Sequence, residues 1–592
     1  MIVGRLLFFA YNWDHTSALT FTEIALSMLH GLHMDLSICG YFLALSAIIL
    51  SISALNNHLI LAKALIGITI ILLVACSVIV CVDLELYRHW GFRMNTTPLL
   101  YVGSEAFGSI EPFVVIKVLT IFLLLVCSFA FAFIRLIFPR ILYMGETNKK
   151  AAITLLIVGG LMFLPIRGSF TVAPMNTGFV FYHNSKPFAN HSAVNVVWNF
   201  MYALKKAPGS DYPDNFFPKE KTNQLFSEFY KNGGTSSLVL KTRSPNIILL
   251  ILESFTAGVI EKLGGEKGLT PAINQLCSEG ILFTNFYASG DRTDKGLISI
   301  LSGFPAQPTT SIIKLPEKTQ NLPQLNRYIK SLGYHTSFIY GGDVDFANFR
   351  SYLNTSGFER LTTLDDFEDS LYTSKWGVHD EYMFNQALTE LDTTREKFFK
   401  VILTLSSHEP FDVPMKPFIK GNDPESLFLN SCHYTDQCVG AFISHCKTQS
   451  WWDNTVVIIT ADHGHRHPGN KKLHEKERFR IPLLLIGGAV KSDSVIHTVG
   501  SQTDLANTLL GQLDKTSPNF QFSKDLFNPE AKSFAAYFFN DGYGFITPDA
   551  YLVFDNQGKR FITAEGNVDT FSDPSKAYQQ KLFSIYNHID QK

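Results

Sequence analysis

An excess of charge of either sign is what this 592-residue sequence lacks: 50 Lys and Arg face 52 Asp and Glu, a net of −2. Such a chain has neither the basic surface that attracts nucleic acid nor the acidic excess of a solvating protein, so no nucleic-acid partner is expected. Cys-x-x-Cys spacing is missing among the eight cysteines, which argues against a cysteine-built zinc site. No small-residue cleavage site follows a short apolar core near the start, so the opening does not read as a cleavable signal peptide. Charge is also scarce locally: most of the hydrophobic excess in a 46% hydrophobic chain precedes Gly168.

Within that apolar half, Ile38 to Leu55, Ala64 to Val82 and Val118 to Ile134 are uncharged and about long enough to span a bilayer, and Ala151 to Ile166 reads the same way although slightly short. Four such runs in succession predict a membrane domain. Ile2 to Ala10 is apolar but too short to cross, and the expectation is either a truncated first helix or an interfacial segment together with Thr16 to Leu32. Arg135, Arg140, Lys149 and Lys150 cluster between the last two spans, whereas Asp83 to Glu111 mixes acids with bases. The basic loop is therefore expected in the cytoplasm, and everything after about Arg167 outside it.

Length alone suggests roughly three to four domains, and the chain divides by composition into 1–168 (multi-span helical), 169–243 (juxtamembrane helices and linker) and 244–592 (the catalytic candidate). In the middle part, Trp198, Phe200 and Tyr202 beside Lys205 and Lys206 suit a helix at the membrane surface or a connector with buried aromatics. Pro208 to Pro218 reads as linker. Of the cysteines, Cys39, Cys76, Cys81 and Cys127 lie in apolar runs. Cys277, Cys432, Cys438 and Cys446 lie downstream, and the last three are candidates to include a disulfide in an oxidising compartment.

After Ser244 short apolar strands alternate with helical stretches. Strands are predicted at Asn246 to Leu252, Thr336 to Tyr340, Lys400 to Leu405, Thr455 to Ala461 and Pro482 to Ile486, with helices at Pro271 to Glu279, Leu322 to Leu332, Asp380 to Leu388 and Tyr434 to Cys446. That alternation predicts an α/β fold with a mainly parallel sheet covered on both faces. Phe534 to Ile562, with Asn540-Asp541-Gly542 and Asn556-Gln557-Gly558, reads as hairpins of a small antiparallel sheet.

Chemistry in such sheets collects beyond the carboxyl ends of the strands. The predicted strands end in Glu253-Ser254, Gly341-Gly342-Asp343, Ser406-Ser407-His408 and Asp462-His463-Gly464-His465-Arg466-His467. Carboxylate and imidazole ligands suit a divalent metal such as manganese, magnesium or zinc. Between them, Tyr287 to Gly303 turns from small and polar to apolar at helical spacing (Leu297, Ile298, Ile300, Leu301), so a helix is predicted from about Thr293. A lone threonine there is ordinarily only a cap. With a metal on Glu253, Asp462 and His463, however, its hydroxyl becomes a candidate nucleophile activated without a side-chain base. Arg350 and the remaining histidines would neutralise a phosphate or protonate a leaving oxygen.

These motifs, Leu252-Glu253-Ser254, Thr270-Pro271, Phe283-x-Asn285-Phe286-Tyr287, the Thr293 loop, Ser407-His408-x-Pro410-Phe411, Ala461-Asp462-His463-Gly464 and Arg480-Ile481-Pro482, resemble those of the lipoteichoic acid synthase family of phosphoglycerol transferases, within the alkaline phosphatase and sulfatase superfamily. The resemblance implies a sulfatase-like sandwich behind a transmembrane domain, with Glu253, Thr293, Asp462 and His463 as ligands of a metal, manganese first. Thr293 would also be the nucleophile, and Asp343, Arg350, His408 and His467 would contact substrate. It implies transfer of phosphoglycerol from phosphatidylglycerol, through a threonine-bound intermediate, to a glycan or polyol hydroxyl, on the outer side of the cell membrane. Where the family has a histidine before the Gly-Asp pair and a tryptophan two residues before the arginine, this chain has Gly341 and Asn348. Phosphoethanolamine transfer, or transfer to a periplasmic glucan, is the corresponding alternative. A sulfatase would need a Cys or Ser that matures to formylglycine, which Thr293 cannot do. A silent lipid-binding receptor would be expected to have lost a ligand or the nucleophile, and all are present.

Overall fold

Asn246–Leu252 carries no polar alternation, and it becomes a strand (β1) buried along its whole length. The computed structural model describes residues 1–56, 59–96, 98, 112–142, 148–168, 175, 177–183, 186–205, 215–230, 234–308, 310–344, 349–515 and 517–589. In chain order the further strands are β2 (Ile281–Phe283), β3 (Phe286–Tyr287), β4 (His335–Tyr340), β5 (Arg360–Thr362), β6 (Phe398–Leu403), β7 (Thr455–Ala461), β8 (Leu483–Ile486) and β9 (Ser494–Ile496). Apart from β3, they form one eight-stranded sheet ordered β5-β4-β6-β1-β7-β8-β2-β9. Neighbours from β5 to β7 are parallel. Only β8 runs against the rest, which makes the sheet mixed but mainly parallel. The apolar β8 run gives no sign of its direction; that is set by the connections around it. Three strands, β2, β5 and β9, escape prediction because each is three residues long. No periodicity can be read from so few positions.

Helices Asp380–Thr393 and Pro424–Cys446 pack on one another, with Phe384 stacked on Phe442 at 4.7 Å. The second helix begins ten residues earlier than Tyr434, capped by the Asp423 carboxylate on the Glu425 and Ser426 N–H groups. It also corrects the disulfide expectation. Cys432, Cys438 and Cys446 all lie on it and are free, as is Cys277. Positions six and eight apart on a helix are separated by about 9 and 12 Å along its axis, beyond disulfide reach. One buried lysine interrupts the apolar strands: Lys400 on β6, whose Nζ donates to Glu390 Oε2 at 2.6 Å. Near the C-terminus Ala535–Phe539, Gly542–Ile546 and Ala550–Asp555 pair antiparallel in register, as the turn residues predict.

The chain separates into two compact units, Met1–Asp211 with Gln557–Ile562, and Tyr212–Asn556 with Thr563–Lys592. In the first, Phe21–Leu55, Lys63–Trp90, Pro112–Arg140 and Lys149–Arg167 are long and apolar enough to cross a membrane. The opening differs from expectation. Residues 21–32 are not a separate interfacial segment but the start of one helix, Phe21–Asn56. Its polar residues find partners far along the chain. Asp35 accepts from Arg5 Nη1 at 2.8 Å and Asn195 Nδ2 at 2.7 Å, and Glu23 pairs with His183 and Lys186 at 2.9 Å each. Trp198, on the helix Val196–Lys205, is buried in a cluster with Met34, Ile38 and Met175, against which Phe200 and Tyr202 also pack. The aromatics of this helix thus serve packing. Lys206 and the linker expected from Pro208 lie outside the described residues as far as Asp214.

Candidate active site

Parallel neighbours end at the same edge of a sheet, so their following residues meet there. β1 and β7 pair with Leu252 opposite Ala461, which sets Glu253 beside Asp462 and His463. One ligand atom from each of the three lies within 4.8 Å of the others. Glu253 and Asp462 are buried, at 1% and 0% exposure. On the other flank of β1 the loop after β6 holds Glu253 in place: its N–H donates to Thr404 Oγ1 at 2.9 Å, and Ser407 Oγ donates to its carbonyl at 2.5 Å. Buried Asp380 fixes that loop in turn, accepting from the Leu405 and Ser406 N–H groups at 2.8 and 3.1 Å.

Ser254 adopts a left-handed φ of 52°, a conformation unfavourable for a side chain with a Cβ. In that conformation its N–H donates to Asp462 Oδ1 at 2.7 Å and its hydroxyl to Glu253 Oε1 at 2.8 Å. His463 Nδ1 lies 2.8 Å from the Gly464 carbonyl. Nε2 is thereby turned toward the acids, 3.6 Å from Glu253 Oε1 and 3.6 Å from Asp462 Oδ2. Asp462 Oδ2 is fully buried without a hydrogen-bond partner. An acceptor left so is costly unless a further group answers it, and two carboxylates with one imidazole match a divalent cation.

Electrostatics agree. Burial, and then the Glu253 charge, push the Asp462 carboxyl well above its usual range. Burial also works against the Glu253 charge, but the His463 hydrogen bond, the His408 and His463 charges and the Asp462 hydrogen bond together outweigh it and hold that carboxyl low. His463 is raised to about 9, since Asp462 and Glu253 overcome its own burial. The cluster thus gathers positive charge wherever a proton can supply it, and a bound cation would displace that proton.

Thr293 opens the helix Thr293–Ser302, whose every residue is buried, and its hydroxyl donates to Glu253 Oε2 at 3.1 Å. Gly296 is what lets this helix approach: a Cβ there would lie 2.0 Å from the Asp462 carbonyl oxygen. Gln502 braces the same junction, accepting from the Ser289 N–H at 2.9 Å and donating to the Ala461 and Asp462 carbonyls at 2.8 and 2.5 Å. Asp291 and Lys295, both nearly buried, pair at 2.9 Å across the first turn.

A pocket opens at Thr293, lined also by Tyr340, Asp343, Phe349, Trp376 and His408. Of the residues expected to contact substrate, Asp343 and His408 are brought to it. Arg350 does not line it, and its guanidinium lies 3.5 Å from Asp365 on an exposed surface. His467 does not line it either: Nδ1 faces Glu425 Oε2 at 2.9 Å and the ring packs near His465. Asn348 lies outside the described residues. Sequence reasoning missed Tyr340, Phe349, Trp376 and the brace Gln502. Tyr340 ends β4 and was open to the strand-end argument, whereas nothing local marks Trp376.

Residues 245–515 match the family model described as Sulfatase. The chain is 24% identical over 315 residues to the lipoteichoic acid synthase-like YvgJ of Bacillus subtilis, covering 49% of this chain and 51% of that protein. It is 24% identical over 283 residues to phosphoglycerol transferase I of Xanthomonas campestris, covering 45% and 40%. The chain spans about half the length of the Bacillus relatives it matches. The crystal structure of a protein in the alkaline phosphatase superfamily from Vibrio parahaemolyticus superposes with a TM-score of 0.57 at 25% identity, over 64% of this chain and 98% of that one.

Proposed function

We propose that this chain, which is similar to lipoteichoic acid synthases and phosphoglycerol transferases and carries a Sulfatase-family domain, moves phosphoglycerol from phosphatidylglycerol to a glycan or polyol hydroxyl through a phospho-Thr293 intermediate. The observation that carries the reading is the placement of the Thr293 hydroxyl, 3.1 Å from Glu253 and open to the pocket, at the start of a buried helix. The proposed domains are a multi-span membrane part to about residue 168, a juxtamembrane part to 243, and an extracytoplasmic catalytic part from 244. A lipid donor gives a reason for tethering the last to the first.

Glu253, Asp462, His463 and the Thr293 oxygen would hold the divalent cation, manganese in this reading, which when bound supplies Lewis-acid charge that eases loss of the hydroxyl proton. Thr293 Oγ1 bonds to phosphorus as the bond to the diacylglycerol oxygen breaks, and the Thr293 proton ends on that oxygen. In the second half the acceptor oxygen bonds to phosphorus, the bond to Thr293 breaks, and the acceptor's proton ends on Thr293. His408, on the pocket wall, would carry the proton both ways. The start of the Thr293 helix, whose dipole favours negative charge, would receive the phosphoryl oxygens, and Asp343 on the pocket wall would meet the head group.

The test is diacylglycerol release from labelled phosphatidylglycerol by the full-length protein with manganese. Thr293→Ala should lower the rate by at least about 10³-fold, and wild-type Thr293 should carry a phosphoglycerol adduct by mass spectrometry. Release that survives the substitution would overturn the nucleophile. No release despite bound metal would overturn phosphatidylglycerol as donor.

A further inference from the structure

The segment between β5 and the helix Asp380–Thr393 carries no metal-type ligand to the site, yet it brings one large side chain to it. Trp376 lines the pocket together with Thr293. Its position is built rather than incidental. Ser374 and Gly377 close a tight turn around it, with Ser374 N–H donating to the Gly377 carbonyl at 3.1 Å and Ser374 Oγ to the same oxygen at 2.8 Å. Gly377 has φ 145° and crosses the end of β4 so closely that a Cβ would lie 2.1 Å from the Gly341 carbonyl oxygen. Gly341 in turn has room for no side chain, since a Cβ there would meet Val378 at 2.7 Å. These glycines let two backbones pass in contact, and the crossing sets the indole against the strand end. The indole N–H then donates to the Glu409 carbonyl at 2.7 Å, and its ring meets His408 edge-on at 4.8 Å. With its N–H already engaged, the indole offers the pocket a fixed apolar surface.

We infer that Trp376 is a specificity-determining residue for the transferred group: its indole packs against the carbon chain of a short neutral polyol whose phosphate lies at Thr293 and whose hydroxyls face Asp343 and His408. The inference rests on the phosphotransfer reading of the same site. An anchored aromatic wall rewards carbon surface and shape, so the gain should be specific to the head group and absent for the phosphate. Contacts of this size change discrimination by about 10-fold or somewhat more. The indole packs on His408 and is not among the metal-type ligands Glu253, Asp462 and His463, so its removal leaves those ligands in place.

Two measurements separate the possible failures. In the full-length Thr293→Ala protein, which cannot turn over, competition binding with glycerol phosphate, phosphoethanolamine and inorganic phosphate reads the pocket alone. Adding Trp376→Ala should weaken glycerol phosphate about tenfold relative to inorganic phosphate, and Trp376→Phe should restore most of the difference. Unchanged relative affinities would overturn the inference even if transfer is observed. Equal weakening of all three ligands would also overturn it, because Trp376 would then be supporting the fold. In the otherwise wild-type protein, Trp376→Ala should lower kcat/KM for phosphatidylglycerol about tenfold more than for phosphatidylethanolamine in mixed vesicles. If neither lipid is cleaved while the binding difference holds, the transferase reading fails and the assignment of Trp376 to head-group recognition stands.

Discussion

The two compact units place polar and apolar groups in opposite ways. In the sheet-containing unit β1, β6 and β7 are buried along their whole lengths, and the acids of the candidate site collect where the strands stop. In the helical unit large apolar residues such as Phe113, Ile116, Leu124 and Phe131 point outward, while the charged pairs lie inside, Arg5 with Asp35 and Arg93 with Asp83 at 3.2 Å between Nε and Oδ1. One unit is held by apolar burial and gathers charge at its candidate site. The other has apolar surface that lipid satisfies, and uses buried charge to choose how its helices pack.

The contrast breaks most sharply at glycine. Gly296→Ala must force the Thr293 helix away from the Asp462 carbonyl, so activity should fall by at least about 10³-fold and stoichiometric manganese binding should be lost. Gly160, on a span, has no atom within 4 Å of its Cβ direction. Gly160→Ala should change activity and the melting temperature in detergent hardly at all, within about 0.5 kcal/mol. An inactive Gly160→Ala, or a fully active Gly296→Ala, would erase the distinction.

A smaller effect lies between these two, and there the units should behave alike. Glu390→Ala strands the buried Lys400 ammonium, and Asp35→Ala strands Arg5; each should cost about 3–5 kcal/mol in unfolding experiments. The Glu390 pair adds a pH signature. Burial opposes its charge, but Lys400, Thr362 and Arg360 together outweigh it and hold the carboxyl below its ordinary value. A depressed carboxyl contributes stability fully above about pH 4.3, the unfolded value, and loses it as pH falls through the lower folded value. Wild type should therefore lose stability on acidification below about pH 4 more steeply than Glu390→Ala. Parallel acid curves would remove Glu390 from the account.

The sequence by itself determined the regular parts and the residue types of the candidate site. Continuous apolar runs marked the spans and the long strands, the change to helical spacing marked Thr293 as a helix start, and acids and histidines after strands marked Glu253, Asp462 and His463. These are local signals, because strand ends and helix starts are properties of neighbouring residues. Tertiary structure alone decided the rest. It carried the first span back through Glu23 and Asp35, whose partners His183 and Asn195 are about 160 residues away. It brought Trp376 to the pocket through a glycine crossing, and it set Arg350 beside Asp365 and His467 beside Glu425, off the pocket wall. Each of these turns on a contact between distant segments, which no pattern of adjacent residues encodes.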